Sequence, residues 1–230
     1  MLVCFWSPKG GSGTSVVAAG AALVLARETD ARIVDLAGDQ PAVLGLAHDP
    51  ATGVFDWMRA GPSAPSDALE QFSLAVTPRC SLVPAGAIRG PEPAPEAGAA
   101  LAVALDADPR PAACDLGRLD TASGSAFIEV AGTAIVVVRG CYLALRRAVR
   151  HPALADTAGA ILIDEHGRSL GRPDVEDVLG IPVLATIAAR TSIARAVDAG
   201  VLPGRLPDAL ARPLHHALVQ VGCFDDEQAA

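Results

Sequence analysis

Short apolar runs alternate with longer segments of helical character along most of the chain. Residues 2–6 are an apolar run that ends at a Gly-rich loop, residues 8–13, and the Ala-, Val- and Leu-rich residues 14–28 are predicted to be a helix. Residues 32–36 are a second strand-like run, rich in β-branched side chains. Strand, helix and strand in this order predict a parallel pair of strands joined by a right-handed crossover.

The same alternation continues towards the end of the chain. Further strands are predicted at residues 74–76, 81–83, 111–116, 133–138, 160–163 and 181–185. Further helices are predicted at residues 52–60, 141–150, 192–199 and 206–219. Residues 61–66 are predicted to be a turn-rich connector, and the Pro-, Gly- and Ala-rich residues 84–95 an exposed, flexible loop. The pattern predicts an α/β fold: a doubly wound, mainly parallel sheet with helices on both faces.

Composition agrees with this fold class and limits the number of domains. The chain is 51% hydrophobic but only 3% aromatic, so its core must be aliphatic, as expected where helices cover both faces of a sheet. Two domains cut from 230 residues would each have a marginal core. We therefore expect a single domain over residues 1–230.

The formal net charge of −8 opposes a general attraction to DNA or to anionic lipid. Four arginines lie on or just before one predicted helix: Arg139, Arg146, Arg147 and Arg150. We interpret them as a solvated face that pairs with nearby acids, and DNA binding is not expected. Residues 224–230 are predicted to be an acidic tail, which would be repelled by anionic lipid, so no direct membrane helix is expected.

Five cysteines give no sign of an oxidised or metal-bound site. Their number is odd and none has C-x-x-C spacing, which favours reduced thiols. The apolar stretch at residues 16–26 is too short to span a bilayer. We expect a cytoplasmic protein.

Candidate chemistry begins in the first loop. Residues 7–15, SPKGGSGTS, lie between a predicted strand and a predicted helix, where backbone N–H groups and a helix N-terminus bind phosphate. Asp35 ends the next strand, and Asp115 ends a later one, two residues before Gly117. Such an acid holds a Mg²⁺-bound water, and such a glycine offers its N–H to a terminal phosphate. On the loop alone an ordinary Gly-rich turn stays an alternative, but the three elements together predict a nucleotide site at the carboxyl edge of the sheet.

The loop resembles the deviant Walker A motif of the ParA/MinD family, KGGxGK followed by Ser or Thr, with Lys9 at the position of the family's signature lysine. The resemblance extends to residues 34–36 (VDL) as the switch I strand and to residues 115–117 (DLG) as the Walker B and switch II region. Residues 178–183 (VLGIPV) are similar to a late strand of that family. The resemblance covers nearly the whole chain and implies the P-loop NTPase fold of the family.

In that family two subunits sandwich the nucleotides, and each signature lysine reaches across the interface. The resemblance therefore implies a homodimer that binds ATP or ADP with Mg²⁺, in which Lys9 contacts the nucleotide of the other subunit. It implies phosphate contacts from Gly10, Gly11, Ser12, Gly13, Thr14, Ser15 and Gly117. It implies that Ser15 supplies the hydroxyl ligand of the Mg²⁺. Asp35 and Asp115 are the further candidates for the metal site, Asp115 through a bound water.

The chain departs from the family pattern in three places. Thr14 replaces the usual Walker lysine and lacks a charge-assisted bond worth about 1.5–3 kcal/mol, which predicts nucleotide binding about 10- to 100-fold weaker. Hydrolysis should suffer more, because that lysine also neutralises charge in the transition state. The second switch I acid is Ala37 here, which leaves Asp39, with Asp35, as the catalytic candidates. Where the family often has an Asn for adenine, this chain has residues 164–166 (DEH), so the base stays open.

The resemblance implies a nucleotide-binding switch or scaffold that works with a protein partner to position a cellular machine for division, segregation or pilus secretion. Replacement of the Walker lysine is also similar to the TadZ/CpaE-like branch of the family. Three functions stay open: a switch with weak or absent hydrolysis, a pseudo-ATPase interaction domain without nucleotide, and a slow true ATPase that uses Asp39.

Overall fold

The computed structural model describes residues 1–61, 63–86 and 91–224 of the chain. Its strands are β1 (Leu2–Ser7), β2 (Ala31–Asp35), β3 (Leu74–Thr77), β4 (Cys80–Val83), β5 (Ala112–Arg118), β6 (Ala134–Arg139), β7 (Thr157–Asp164) and β8 (Val183–Ala188). Its α-helices are α1 (Thr14–Leu25), α2 (Gln40–Val43), α3 (Val54–Arg59), α4 (Pro95–Asp106), α5 (Ala122–Ala131), α6 (Tyr142–Val149), α7 (Arg172–Leu179), α8 (Thr191–Asp198) and α9 (Asp208–Gln220). Short 3-10 helices lie at Ser66–Phe72 and Pro152–Leu154. In these described ranges, no helix combines the length and the apolar character that crossing a membrane requires.

The strands form one eight-stranded sheet in the order β3-β4-β2-β5-β1-β6-β7-β8. Within the described chain, β3 pairs antiparallel with β4, and the other neighbouring strands are parallel. This order confirms the predicted α/β fold with a doubly wound, mainly parallel sheet. The carboxyl ends of the neighbouring strands β1, β2 and β5 therefore meet at one edge, where proteins of this architecture bind ligands.

Strand β1 shows how the sheet buries both of its faces. Leu2, Cys4 and Trp6 belong to the core under α3, α4, α5, α6 and α7, whereas Val3 and Phe5 belong to the core under α1, α2, α8 and α9. Neighbouring residues of a strand point to opposite faces, so a continuous apolar run requires a helical layer on each side.

Among the described residues, four α-helices were not predicted from the sequence pattern, namely α2, α4, α5 and α7. Small residues obscure the pattern in α4 and α5, because these helices approach closely. A Cβ added at Gly98 would lie 2.0 Å from the carbonyl oxygen of Ser123. Helix α1 also ends earlier than predicted, at Leu25, because the N–H groups of Arg27 and Glu28 bond to carbonyls three residues back, as in a turn.

Part of the predicted exposed loop at residues 84–95 is packed against α3. Pro84 and Ala85 are buried, and their carbonyl oxygens accept hydrogen bonds of 2.8 and 3.1 Å from the N–H groups of Val54 and Phe55. The expectation of exposure is wrong for these two residues. Three predicted segments extend outside the described residues: the loop at residues 87–90, the connector at residue 62 and the acidic tail at residues 225–230.

Candidate nucleotide and cation site

The loop between β1 and α1 has the backbone shape of an anion cradle. Gly11 and Gly13 have φ angles of 76° and 90°, in the left-handed region that glycine adopts without steric cost. Left-handed residues at a helix start turn successive N–H groups towards one anion. The Ser12 hydroxyl donates a 2.8 Å hydrogen bond to the Lys9 carbonyl, which holds the loop in this conformation.

A cavity of about 990 Å³ opens above the loop. This is the upper part of the range of about 300–1,000 Å³ that is usual for ligand sites. Its walls bring together eight of the predicted site residues: Gly10, Gly11, Ser12, Gly13, Thr14, Ser15, Asp39 and Gly117. Lys9, Asp35 and Asp115 do not line it.

The lysine and the threonine of the motif lie in different environments. Lys9 is half-buried, and its Nζ lies 3.4 Å from the carbonyl oxygen of Gly10. Thr14, the first residue of α1, is 5% exposed and lines the cavity. Within residues 7–15, all of which are described, no basic side chain lines the cavity.

Two arginines that line the cavity, Arg59 and Arg118, were not among the site residues predicted from the sequence. Arg118 lines the cavity, and its Nε donates a 2.8 Å hydrogen bond to Asp120. Arg59 lies over the ring of Phe55, 5.8 Å from the ring centroid, and 3.7 Å from a carboxylate oxygen of Asp56. Both cations already have partners of their own.

Asp35 ends β2 and is fully buried. Its carboxylate accepts backbone hydrogen bonds from Ala37 (3.0 Å), Gly38 (2.7 Å) and Gln40 (3.1 Å). Burial, followed by the neighbouring Asp115, raises the pKa of Asp35 to about 7 against the opposing effect of these bonds. Ionisation of this group near neutral pH is thus favoured by any positive charge that binds close to it.

Asp115 lies in β5, directly opposite Asp35 in the register of the two strands, and is also fully buried. Its Oδ1 accepts a 3.0 Å bond from the N–H of Gly117, and its Oδ2 accepts a 2.8 Å bond from Nε2 of Gln40. Burial raises the pKa of Asp115, although side-chain hydrogen bonds from Gln40 and Ser15 oppose the rise. Two neighbouring carboxylates that resist ionisation create a local preference for a cation.

The donor set fits a hydrated magnesium ion. Mg²⁺ prefers carboxylate, hydroxyl and water oxygens and keeps several of its waters. Ser15, Asp35 and Asp115 offer hydroxyl and carboxylate oxygens within one hydrogen-bonded cluster. In addition, Oε1 of Gln40 is buried and has no hydrogen-bond partner among the described residues. An unpaired buried acceptor beside these oxygens is what a cation-bound water would satisfy.

The segment after β2 places its two polar residues differently. Asp39 is exposed and lines the cavity, and its charge contributes to the raised pKa of Asp115. Gln40 is fully buried, and its side chain bonds directly to Asp115. Gln40 was not among the site residues predicted from the sequence. The only signal for it was a polar side chain just before Pro41, at the start of what proved to be α2.

Comparison with known proteins adds to this picture at the level of the fold. A scan against models of protein families found no match, and a search of curated proteins found none either. Solved structures do match. A ParA family ATPase from Chlorobium tepidum has a TM-score of 0.78 at 21% identity, over 94% of this chain and 97% of that chain.

Two further relatives are similar over almost their whole length. The septum site-determining protein MinD from Pyrococcus horikoshii, complexed with Mg-ADP, has a TM-score of 0.77 at 18% identity, over 96% of this chain and 95% of that chain. An ATP complex of a McdA variant from Cyanothece has a TM-score of 0.71 at 14% identity, over 97% of each chain.

The chain has the ParA/MinD fold. At these identities the likeness establishes architecture, whereas function must be argued from the site.

A smaller, mainly apolar cleft of about 370 Å³ adjoins the Gly-rich loop. It shares Gly13, Val16, Val197 and Asp198 with the larger cavity, so the two spaces lie side by side. Beyond these shared residues its walls are largely aliphatic and come from β7, β8, α8 and α9, among them Ile163, Ile187, Ile193 and Leu210.

The segment after β7, where the family often has an adenine-recognising Asn, is engaged in ion pairs. Glu165 accepts a 2.8 Å bond from Arg139 and a 3.0 Å bond from Arg168. The carboxylate is therefore occupied by two guanidinium groups, and residues 164–166 contain no amide side chain for a base.

The arginines of α6 do not all pair with acids. Arg146, Arg147 and Arg150 are exposed, and none forms an ion pair in the portion of the chain that the structure describes. Arg139 differs, since it pairs with Glu165. The predicted pairing of this face with local acids is wrong for three of its four arginines.

Proposed function

We propose that this chain is a ParA/MinD-like nucleotide-binding switch or scaffold that binds ATP or ADP with Mg²⁺ and hydrolyses ATP slowly or not at all. The observation that carries the proposal is the Gly-rich cradle at the start of α1. It opens onto a cavity that Ser15 and Gly117 line, and Thr14 occupies the place of the lysine. The complexes of two relatives, MinD with Mg-ADP and McdA with ATP, support the choice of ligand.

Weak hydrolysis follows from the charges around the cradle. Phosphoryl transfer depends on cations that neutralise negative charge developing in the transition state. Thr14 supplies none, and the arginines that line the cavity, Arg59 and Arg118, have acidic or aromatic partners. Ala37 in place of the second switch acid removes a further group that would act on the attacking water.

The position of Lys9 supports a dimer. Lys9 is only half-buried and does not line the cavity of its own chain, so in this proposal its charge serves a second subunit. Lys9 is also the only lysine among the 18 lysine and arginine residues of the sequence. In this proposal each Lys9 contacts the nucleotide held by the other subunit, and nucleotide binding and dimerisation favour each other.

The apolar cleft beside the cradle suits a planar base. Its aliphatic walls offer burial and few polar contacts, so we infer that it favours the nucleotide through its shape and apolar surface and selects weakly between bases. A site with an Asn side chain that bonds to the base would distinguish adenine from guanine, and we expect this cleft to distinguish them less well.

The cellular task in this proposal is to position a machine through a protein partner in the cytoplasm, with division, segregation and pilus secretion as the candidate processes. The relatives include the septum site-determining protein and a MinC:MinD complex from Aquifex aeolicus, which supports a partner-dependent role. The TadZ/CpaE-like branch is the candidate subgroup because it also lacks the Walker lysine. DNA is not a proposed partner, given the net charge of −8.

Isothermal titration of the protein with ATP and ADP in the presence of Mg²⁺ tests the proposal. We expect binding in the micromolar to millimolar range, coupled to dimerisation. No binding at millimolar nucleotide would reject the switch and leave the interaction domain without nucleotide as the function.

One observation favours a second candidate, a slow true ATPase. Asp39 is exposed and lines the cavity, where its carboxylate can reach a water beside the phosphates. This version predicts measurable phosphate release that Asp39→Asn abolishes while nucleotide affinity is retained. A rate that is the same in both proteins would assign the release to another cause.

A further inference from the structure

Gln40 ties together three parts of the site. Its backbone N–H donates a 3.1 Å hydrogen bond to Oδ2 of Asp35, at the end of β2. Its side-chain Nε2 donates to Oδ2 of Asp115 at 2.8 Å and to the carbonyl oxygen of Ser15 at 2.9 Å. A single, fully buried residue therefore contacts both carboxylates and the first turn of α1.

The orientation of the Gln40 amide is determined by its neighbours. Both partners of Nε2 are oxygen atoms, one of a carboxylate and one of a backbone carbonyl. Exchanging the nitrogen and oxygen would bring Oε1 against both of these oxygens, so hydrogen-bonding chemistry selects the observed orientation. The unpaired atom is thus the carbonyl oxygen, Oε1.

A buried acceptor without a partner is unfavourable, and the chemistry of the site indicates what would satisfy it. Such a group loses its hydrogen bonds to water on burial and gains none in return. Oε1 shares its carbon with the nitrogen that contacts Asp115, so it lies beside the carboxylate that is expected to hold a cation-bound water. A water bound to a divalent cation is a strong hydrogen-bond donor, because the metal polarises its O–H bonds.

The other residues of the segment after β2 do not offer an equivalent oxygen. Ala37 has only a methyl group in the place of an acid. Asp39 is exposed on the cavity wall, whereas Gln40 is the residue of this segment whose side chain bonds to Asp115.

We propose that Gln40 positions the hydrated divalent cation of this site. Its NH₂ group holds Ser15 and Asp115 in place, and its carbonyl oxygen accepts a hydrogen bond from a cation-bound water, a task that compensates for the missing acid at Ala37. This inference rests on the proposed function, since it assigns Gln40 to the cation that accompanies the nucleotide. It concerns a positioning residue and requires no hydrolysis.

The test is the effect of Mg²⁺ on the affinity for a fluorescent ADP, mant-ADP, measured once with saturating Mg²⁺ and once with EDTA. The ratio of the two affinities reports on the cation alone, because a general loss of structure changes both affinities together. Removal of an outer-shell partner typically costs about 10- to 100-fold in metal affinity. We expect Gln40→Met to reduce the ratio by a factor in this range, because its loss of affinity in Mg²⁺ should exceed any loss in EDTA.

A matched control is available on α9. Nε2 of Gln220 also donates a 2.9 Å hydrogen bond to a backbone carbonyl, that of Leu184. Gln220→Met removes the same kind of bond from a residue that does not line the cavity. It should leave the ratio unchanged. Gln40→Asn keeps the amide but withdraws it from the Ser15 and Asp115 oxygens by one methylene, so it should also lower the ratio, and it serves as the test variant if Gln40→Met does not fold.

The outcomes separate this inference from the function on which it rests. Equal losses in Mg²⁺ and EDTA would show that Gln40 only supports the fold, and a larger Mg²⁺ effect in Gln40→Met would show that it obstructs the cation; either result overturns the inference. A wild type that binds mant-ADP with no Mg²⁺ effect overturns it too, but leaves nucleotide binding intact. A wild type that binds no mant-ADP rejects the proposed function and this inference together.

Discussion

Asp35 and Asp115 lie side by side in the register of β2 and β5, and both carboxylates are fully buried. Burial and mutual repulsion oppose the ionisation of such a pair, while the N–H groups around it favour ionisation. The protein therefore maintains an energetically unfavourable pair of acids at the edge of the sheet where the phosphate loop begins. A bound cation would relieve this cost, which links the stability of the fold to the occupancy of the site.

The pH dependence of stability should report on Asp35. Its pKa is about 7 in the folded protein, compared with about 3.9 in an unfolded chain. Between these values the folded state keeps a proton that the unfolded state has lost, so the free energy of unfolding falls as the pH rises from about 4 to about 7. This fall should be smaller in Asp35→Asn, as measured by urea unfolding across that range.

Asp30→Asn is the control for this experiment, because Asp30 is exposed and makes only a loose ion pair with Arg79, at 3.7 Å. Its pH profile should follow that of the wild type. An Asp35→Asn profile as steep as that of the wild type would contradict the raised pKa of Asp35.

Restoring a lysine at position 14 should strengthen nucleotide binding. Thr14 lines the cavity at the first residue of α1, so the ammonium group of Thr14→Lys would enter the phosphate cradle. A charge-assisted bond of about 1.5–3 kcal/mol corresponds to an affinity for ADP about 10- to 100-fold higher by titration calorimetry. Thr29→Lys adds the same charge at an exposed site beyond the end of α1 and should have little effect. Equal affinities for Thr14→Lys and the wild type would mean that the cradle does not hold phosphate.

Chemical modification can locate Lys9 in the assembled protein. Because Lys9 is the only lysine, an amine-directed reagent modifies this side chain and the N-terminal amine alone. With ATP and Mg²⁺ at high protein concentration, we expect mass spectrometry to show protection of Lys9, since the group is then covered by the other subunit. The amine of Met1 is an internal reference for reagent activity. Protection that persists on dilution to monomer would instead place the nucleotide contact of Lys9 within its own chain.

Two adjacent glycines of the loop should differ in their tolerance of a side chain. A Cβ at Gly10 or at Gly11 would meet no atom within 4 Å, but Gly11 has a φ of 76° and Gly10 is not among the glycines with positive φ. Gly11→Ala must hold alanine in a left-handed conformation, which costs about 1–2 kcal/mol. Chemical denaturation should show this loss for Gly11→Ala and a smaller change for Gly10→Ala. Equal losses would argue against the left-handed turn at Gly11.

Much of the framework followed from local pattern. The apolar runs at residues 2–6 and 133–138 correspond to buried strands, β1 and β6, because a strand covered on both faces has no polar alternation. Helix α4 was not predicted because its close contact with Ser123 depends on Gly98, which has no side chain. Hydrophobic periodicity does not reveal such a contact.

The sequence by itself determined the Gly-rich loop between β1 and α1, since glycines, a strand before them and a helix after them are all contiguous, and backbone conformation there depends on neighbouring residues. It also determined the absence of a lysine at position 14. Only the tertiary structure decided which side chains complete the site. Gln40 bonds to Ser15 and to Asp115, which are 25 and 75 positions away in the chain. The burial that raises the pKa of Asp35 requires the neighbouring strand β5, so neither property can be deduced from local sequence.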